Sequence, residues 1–104
     1  MPGVDFGRLR AEITMEQVLD LLRFEPTRRA GQQWHGPCPL HESSPRRSRP
    51  FSVNLASGLY YCHQCRSHGN QLDLWAAAAH LPLHPAAIEL CRALGRDVPW
   101  IHRW

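Results

Sequence analysis

The sequence predicts an α+β domain, and three observations carry that reading. Apolar residues recur at helical spacing near both ends of the chain, behind recognisable caps. Between them, apolar and polar residues alternate from Phe51 towards Cys62, as they do in strands with one buried face. Two short turns, Cys38-Pro39-Leu40-His41 and Cys62-His63-Gln64-Cys65, bracket that alternating stretch with the spacing of metal ligands. Together they describe a small zinc ribbon: an antiparallel hairpin with two knuckles, flanked by one N-terminal and two C-terminal helices.

The elements follow in order. Residues 1–12 mix charged and apolar residues without a clear period and read as an N-terminal tail. Thr14 and Gln17 form a capping box ahead of Val18, Leu19, Leu21 and Leu22, a helix that should end near Arg23, before Pro26. From Thr27 to Gly36 the chain is polar and arginine-rich, a short extended segment leading into the first ligand pair. Serines, arginines and prolines from Glu42 to Pro50 mark an exposed loop. Phe51 to Asn54 and Leu59 to Cys62 are β-prone and separated by a turn at Ala56-Ser57-Gly58, so they make a hairpin with Phe51 and Val53 on its buried side. Trp34 is expected in the core with Phe51. Asn70 caps a helix running to about His80, with Asp73 in its first turn and Leu72, Trp75, Ala76 and Ala79 on one face. A last helix has Pro85 in its first turn, Ile88, Cys91 and Leu94 on its core face and Gly95 as its stop. Residues 13–95 thus form the domain, and 96–104 a C-terminal tail.

Length and charge narrow the function. A chain of 104 residues holds one domain, and no apolar run approaches the roughly 20 residues of a membrane span. No signal-like segment is evident at the N-terminus, so the expected location is the cytoplasm. All twelve Lys/Arg positions are arginine, which suits phosphate binding but is equally what a GC-rich genome would encode. Their placement is more telling: from Arg28 to Arg66 there are six arginines and one acid, Glu42. Positive charge therefore gathers around the ligand pairs.

Zinc takes four ligands in a tetrahedron, and Cys38, His41, Cys62 and Cys65 supply three thiolates and an imidazole. With every position filled by protein, the single ion is structural, not catalytic. Other readings are weaker. A redox Cys-x-x-Cys belongs at a helix start after a strand, without a second ligand pair upstream. Two disulfides would need an oxidising compartment. Cys91 lies on an apolar helix face, while His35 is the nearest substitute for His41, with His63 and His68 as surface residues or supports of the ligand shell.

The residues Gly36-Pro37-Cys38-Pro39-Leu40-His41, Pro50-Phe51-Ser52-Val53-Asn54, Gly58-Leu59-Tyr60-Tyr61-Cys62, Cys65, Gly69-Asn70 and Asp73 resemble the zinc-binding domain of DnaG-type bacterial primases. The resemblance spans roughly Ile13 to Gly95. It implies a module that engages single-stranded DNA template for primer synthesis, acting with a separate TOPRIM-containing catalytic core. No catalytic residues are expected in this chain, because the acidic metal-binding residues of that core lie beyond the domain. The chain departs from the family in a longer loop between His41 and Phe51 and in Gln64 and Arg66, which stand where glycines are common.

Single-strand binding combines a basic track with aromatic faces. Arg46, Arg47, Arg49 and Arg66 are the candidate track, and Tyr60 and Tyr61 the candidate stacking residues. Adjacent strand residues point to opposite faces, so one tyrosine is expected in the core and one outside. The alternative function is a stand-alone interaction module that docks a replicative helicase, phage or mobile-element protein through its C-terminal helices.

Overall fold

In a computed structural model, residues 3–40, 51–63 and 66–101 are described. The elements are β1 (Gly3–Val4), α1 (Phe6–Glu12), α2 (Met15–Leu21), β2 (Arg28–Ala30), β3 (Gln33–Gly36), β4 (Phe51–Asn54), β5 (Leu59–Cys62), β6 (His68–Asn70), α3 (Gln71–Ala79), α4 (Leu83–Ala93) and β7 (Trp100–Ile101). Strands β2 to β6 form one antiparallel sheet in sequence order, and β1 pairs with β7 in a second, two-stranded sheet. The α+β class holds.

The capping boxes start their helices where the sequence places them. Thr14 and Gln17 make the reciprocal capping box of α2, and Asn70 and Asp73 make that of α3. Helix α3 stops at His80, which adopts a left-handed conformation (φ 56°) just before Pro82. Helix α4 ends at Leu94, after which Gly95 at φ 67° reverses the chain and Arg96 N–H reaches back to the Cys91 carbonyl.

The β4–β5 hairpin forms as its alternation requires. Asn54 Oδ1 accepts from the backbone N–H groups of Ala56 and Ser57, both at 2.9 Å, and Gly58 takes φ 69° to close the turn. The register pairs Asn54 with Leu59 and Phe51 with Cys62. Phe51, Val53, Tyr60 and Cys62 therefore share the inner face, and all are buried. They join Leu9, Val18, Leu19, Leu72, Leu74, Leu90 and Cys91 in one core, with α3 touching α2, α4, β5 and β6.

Several features depart from the sequence reading. The segment from Thr27 to Gly36 is a hairpin, not a single extended run, because Gly31 at φ 62° turns the chain between β2 and β3. Trp34 packs against the core but is only half-buried, since its strand lies towards the sheet edge, and Arg29 lies over its ring. In α3 the deeply buried residues are Gln71, Leu72 and Leu74, with Trp75 half-buried. The N-terminal side carries two helices: Asp5 caps α1 through Arg8 N–H (3.0 Å), and Leu9 is fully buried. With Gly7 inside it and one buried residue, α1 has too little apolar pattern to show a period.

One buried polar side chain ties distant parts together. Gln71, 4% exposed, donates from Nε2 to the carbonyls of Arg10 (2.8 Å) and Ile13 (2.7 Å), capping the end of α1 from the start of α3. Its Oε1 lies beside Gly58, where an added Cβ would meet it at 3.1 Å.

Candidate metal centre and nucleic-acid face

The sheet topology gathers the cysteine turns. Gly36 at the end of β3, Phe51 at the start of β4 and Cys62 at the end of β5 lie side by side. Cys38, two residues past β3, and Cys62 therefore leave the same end of the sheet. Both are buried, at 4% and 0% exposure. Leu40 N–H donates to Cys38 Sγ at 3.4 Å, the kind of amide-to-sulfur contact that stabilises a thiolate in a tight ligand turn. The second turn closes through Arg66 N–H to the Cys62 carbonyl (2.8 Å) and Cys62 N–H to the Ser67 carbonyl (2.9 Å).

Arg66 closes that turn at φ 61°, so a position suited to glycine is held by a side chain in the left-handed region. His41 and Cys65, the other two predicted ligands, lie outside the described residues, as do Arg46, Arg47 and Arg49. Among the described residues no three His, Cys, Asp or Glu side chains converge on a metal position. The two described cysteines nonetheless suit zinc in chemistry and in placement. Cys91 stands apart on the buried face of α4, where burial pushes its thiol pKa up and favours the neutral form.

Beneath the cysteine turns lies an aromatic stack. Phe51 is tilted against Phe24 (centroids 5.1 Å apart) and stacked on Tyr60 (5.7 Å). The Tyr60 hydroxyl reaches Ser67 Oγ at 2.7 Å, bracing the 62–67 turn from below. Gly36 passes so close to Phe24 that a Cβ there would meet the ring at 3.0 Å. Tyr60, 4% exposed, is thus the inward member of the tyrosine pair, and Tyr61, 38% exposed, is the outward one.

The outer face of the sheet is polar and aromatic. Strand register aligns Arg28, His35, Ser52, Tyr61 and His68 in one row across all five strands. Tyr61 contacts His63 edge to face (4.7 Å) and lies 6.1 Å from His68. A shallow groove of about 390 Å³ runs beside it, lined by Gln33, Ser52, Asn54, Leu59 and His68 among others. Nothing in the sequence alone marks His63 and His68 as members of this face. Strand parity places His68 opposite Tyr61 only once β6 is known to be a strand.

A five-stranded antiparallel sheet backed by helices, with two cysteine-bearing turns at one end, is the framework of a small zinc-ribbon domain. The chain belongs to the CHC2 zinc finger family, whose model matches residues 5–103, and it is a DnaG-type primase domain. Zinc binding comes with that membership. It is 25% identical over 83 residues to the DNA primase of Buchnera aphidicola subsp. Baizongia pistaciae, covering 79% of this chain and 14% of that one. It is 31% identical over 72 residues to the DNA primase of Pseudomonas putida, covering 69% and 10%. The fold matches the crystal structure of the Aquifex aeolicus primase (zinc binding and RNA polymerase domains) with a TM-score of 0.72 at 21% identity, over 92% of this chain and 23% of that one. The chain therefore spans about a tenth to a seventh of the length of these curated relatives. No helix among the described residues is long and apolar enough to cross a membrane.

Proposed function

We propose that the chain is a zinc-dependent module that binds single-stranded DNA on the outer face of its five-stranded sheet, presenting template to a primase catalytic core on another polypeptide or segment. The observation that carries this reading is the row from Arg28 to His68, with Tyr61 exposed in it and polar neighbours on either side. A base stacks on Tyr61, while Arg28 and Arg66, with the loop arginines Arg46, Arg47 and Arg49, neutralise the backbone. Tyr60 serves from below, holding the sheet and the 62–67 turn in place.

Cys38, His41, Cys62 and Cys65 hold one zinc ion, which supplies folding energy and no chemistry at the template. In zinc-finger peptides that energy is about 10–16 kcal/mol at neutral pH, on the scale of a whole small domain. The chain itself carries out no nucleotidyl transfer; a replicative helicase is a further candidate partner.

The test is a fluorescence-anisotropy titration of the zinc-loaded chain with single-stranded and duplex oligonucleotides at several salt concentrations. Single strands should bind in preference, with log affinity falling by about 0.7 per phosphate contact for each unit of log salt. No single-strand binding at low salt would favour a protein-docking role, and primer synthesis by the purified chain would overturn the non-catalytic assignment.

A further inference from the structure

The outer row of the sheet ends on a side chain that is held at one nitrogen and open at the other. His68 lies on β6, the edge strand, exposed and directly opposite Tyr61 in the register. Its Nδ1 stands 3.1 Å from the Arg66 carbonyl oxygen. A carbonyl can only accept, so Nδ1 carries a hydrogen and donates it whatever the charge on the ring. That bond fixes the tautomer, and the nitrogen left to gain or lose a proton is Nε2, which has no hydrogen-bond partner among the described residues.

The groups around this ring leave room for an anion. Tyr61 lies alongside on β5, with ring centroids 6.1 Å apart and planes at 30°, and His63 meets Tyr61 edge to face from the cysteine turn. Helix α3, which packs against β6, carries one charged residue, Asp73, and its carboxylate accepts from Asn70 N–H at 2.9 Å. Arg66 is exposed two residues before His68. Among the described residues neither Arg66 nor His68 forms an ion pair with a carboxylate.

We infer that His68 is a phosphate contact of the single-strand site, made only when its Nε2 has taken a proton from solvent. The inference rests on the reading of the outer face as the template site. A base stacked on Tyr61 carries its sugar and phosphate past the rim of that ring, and towards the sheet edge the next side chain in the row is His68. A neutral Nε2 presents a lone pair, which a phosphate oxygen repels, whereas a protonated Nε2 presents a donor and a charge. Arg66 stays charged throughout and cannot make affinity respond to acidity; His68 can. Because the phosphate selects the imidazolium, complex formation takes up a proton. The contact is therefore complete on the acid side and fades as pH rises through the histidine range, about pH 5 to 8.

The test titrates oligothymidylate into the zinc-loaded full chain, followed by fluorescence anisotropy at about pH 6 and about pH 8. The parent chain is compared with His68→Asn and His68→Arg. Asparagine sets an amide N–H where Nδ1–H stands, which keeps the bond to the Arg66 carbonyl, and has no titrating nitrogen; arginine carries a charge that does not titrate. His35 and His63 are common to all three proteins, so differences among them report residue 68 alone. On going from the higher to the lower pH, affinity should rise about fivefold more in the parent than in His68→Asn, the size of one exposed ion pair. At the lower pH the parent's salt slope should exceed that of His68→Asn by about 0.7, and at the higher pH the two should coincide. His68→Arg should bind at the higher pH about as tightly as the parent does at the lower. An equal pH response in the parent and His68→Asn, or a His68→Arg no tighter than the parent at the higher pH, would overturn the role of His68 while leaving template binding on this face intact. Absence of single-strand binding at both pH values would overturn the two together.

Discussion

Replacing Gly69 by alanine should damage the domain far more than replacing Gly31, although both glycines sit at positive φ. Gly31, at φ 62°, has open space where a Cβ would go. Gly69, at φ 144°, does not: its added Cβ would lie 2.5 Å from Asp73 Oδ2 and 2.6 Å from Asp73 Cβ. The second contact cannot be relieved by rotating the carboxylate, so the first turn of α3 must move. That turn holds the reciprocal cap in which Asp73 Oδ2 accepts from Asn70 N–H at 2.9 Å and Asn70 Oδ1 accepts from Leu72 and Asp73. Loss of such a cap costs about 0.5–2 kcal/mol. Positive φ in a residue with a side chain adds about 1–3 kcal/mol, and overpacking typically contributes about 1–3 kcal/mol more. Gly69→Ala should therefore lose about 3–6 kcal/mol, against about 1–2 kcal/mol for Gly31→Ala, where only the left-handed backbone is penalised. Chemical denaturation of the zinc-loaded chain, followed by circular dichroism, measures both. Equal losses in the two variants would refute the steric argument, because backbone strain alone would then account for Gly69.

Tyr61→Ala should lower single-strand affinity by about 1–3 kcal/mol without changing the salt slope, since stacking releases no counterions; a changed slope in the anisotropy titration would count against stacking. Cys65→Ser should lose zinc and Cys91→Ser keep it, and elemental analysis showing full zinc in Cys65→Ser would remove Cys65 from the ligand set. Chelation should abolish amide protection at residues 51–62 while α3 and α4 keep theirs, as hydrogen exchange would show; protection there that survived complete zinc removal would refute a structural role for the ion. Glu12, hydrogen-bonded by Arg8 at 2.9 Å and Arg96 at 2.5 Å, has its carboxyl held below the usual glutamate range. Its contribution to stability should be present above the unfolded glutamate pKa and fade as pH falls through the lowered value. Glu12→Gln should remove that acid-side dependence, read as the difference between the melting curves of the variant and the parent chain.

Much of this architecture is legible from local chemistry. The two capping boxes, the Asn54 turn and the alternation of Phe51 and Val53 each involve neighbours in sequence, and each element forms where those neighbours place it. What escapes a sequence reading involves partners far apart. Strand β1 is two residues long and exists only because β7, nearly a hundred residues later, pairs with it through Gly3 and Ile101. The place of Trp34 depends on which strand lies at the sheet edge, and that of Gln71 on carbonyls some sixty positions away. At the candidate site, spacing names the cysteine turns and parity restricts the tyrosines to one in and one out. Only the register between β4, β5 and β6 assigns Tyr60 to the interior and lines Tyr61 up with His68.

The pairing of β1 with β7 also determines how the domain bears load. Gly3 faces Ile101 and Val4 faces Trp100, with Asp5 N–H donating to the Pro99 carbonyl at 2.8 Å just inside. Tension applied outward through residues 3 and 101 enters this ladder at its open end, so its bonds break in succession, as a zipper's teeth do, instead of resisting together in shear. Beyond the ladder the load meets packed side chains, since Val4 is buried in the core, Pro99 is buried and Val98 packs against the core, so opening the clasp strips apolar contacts as well as hydrogen bonds.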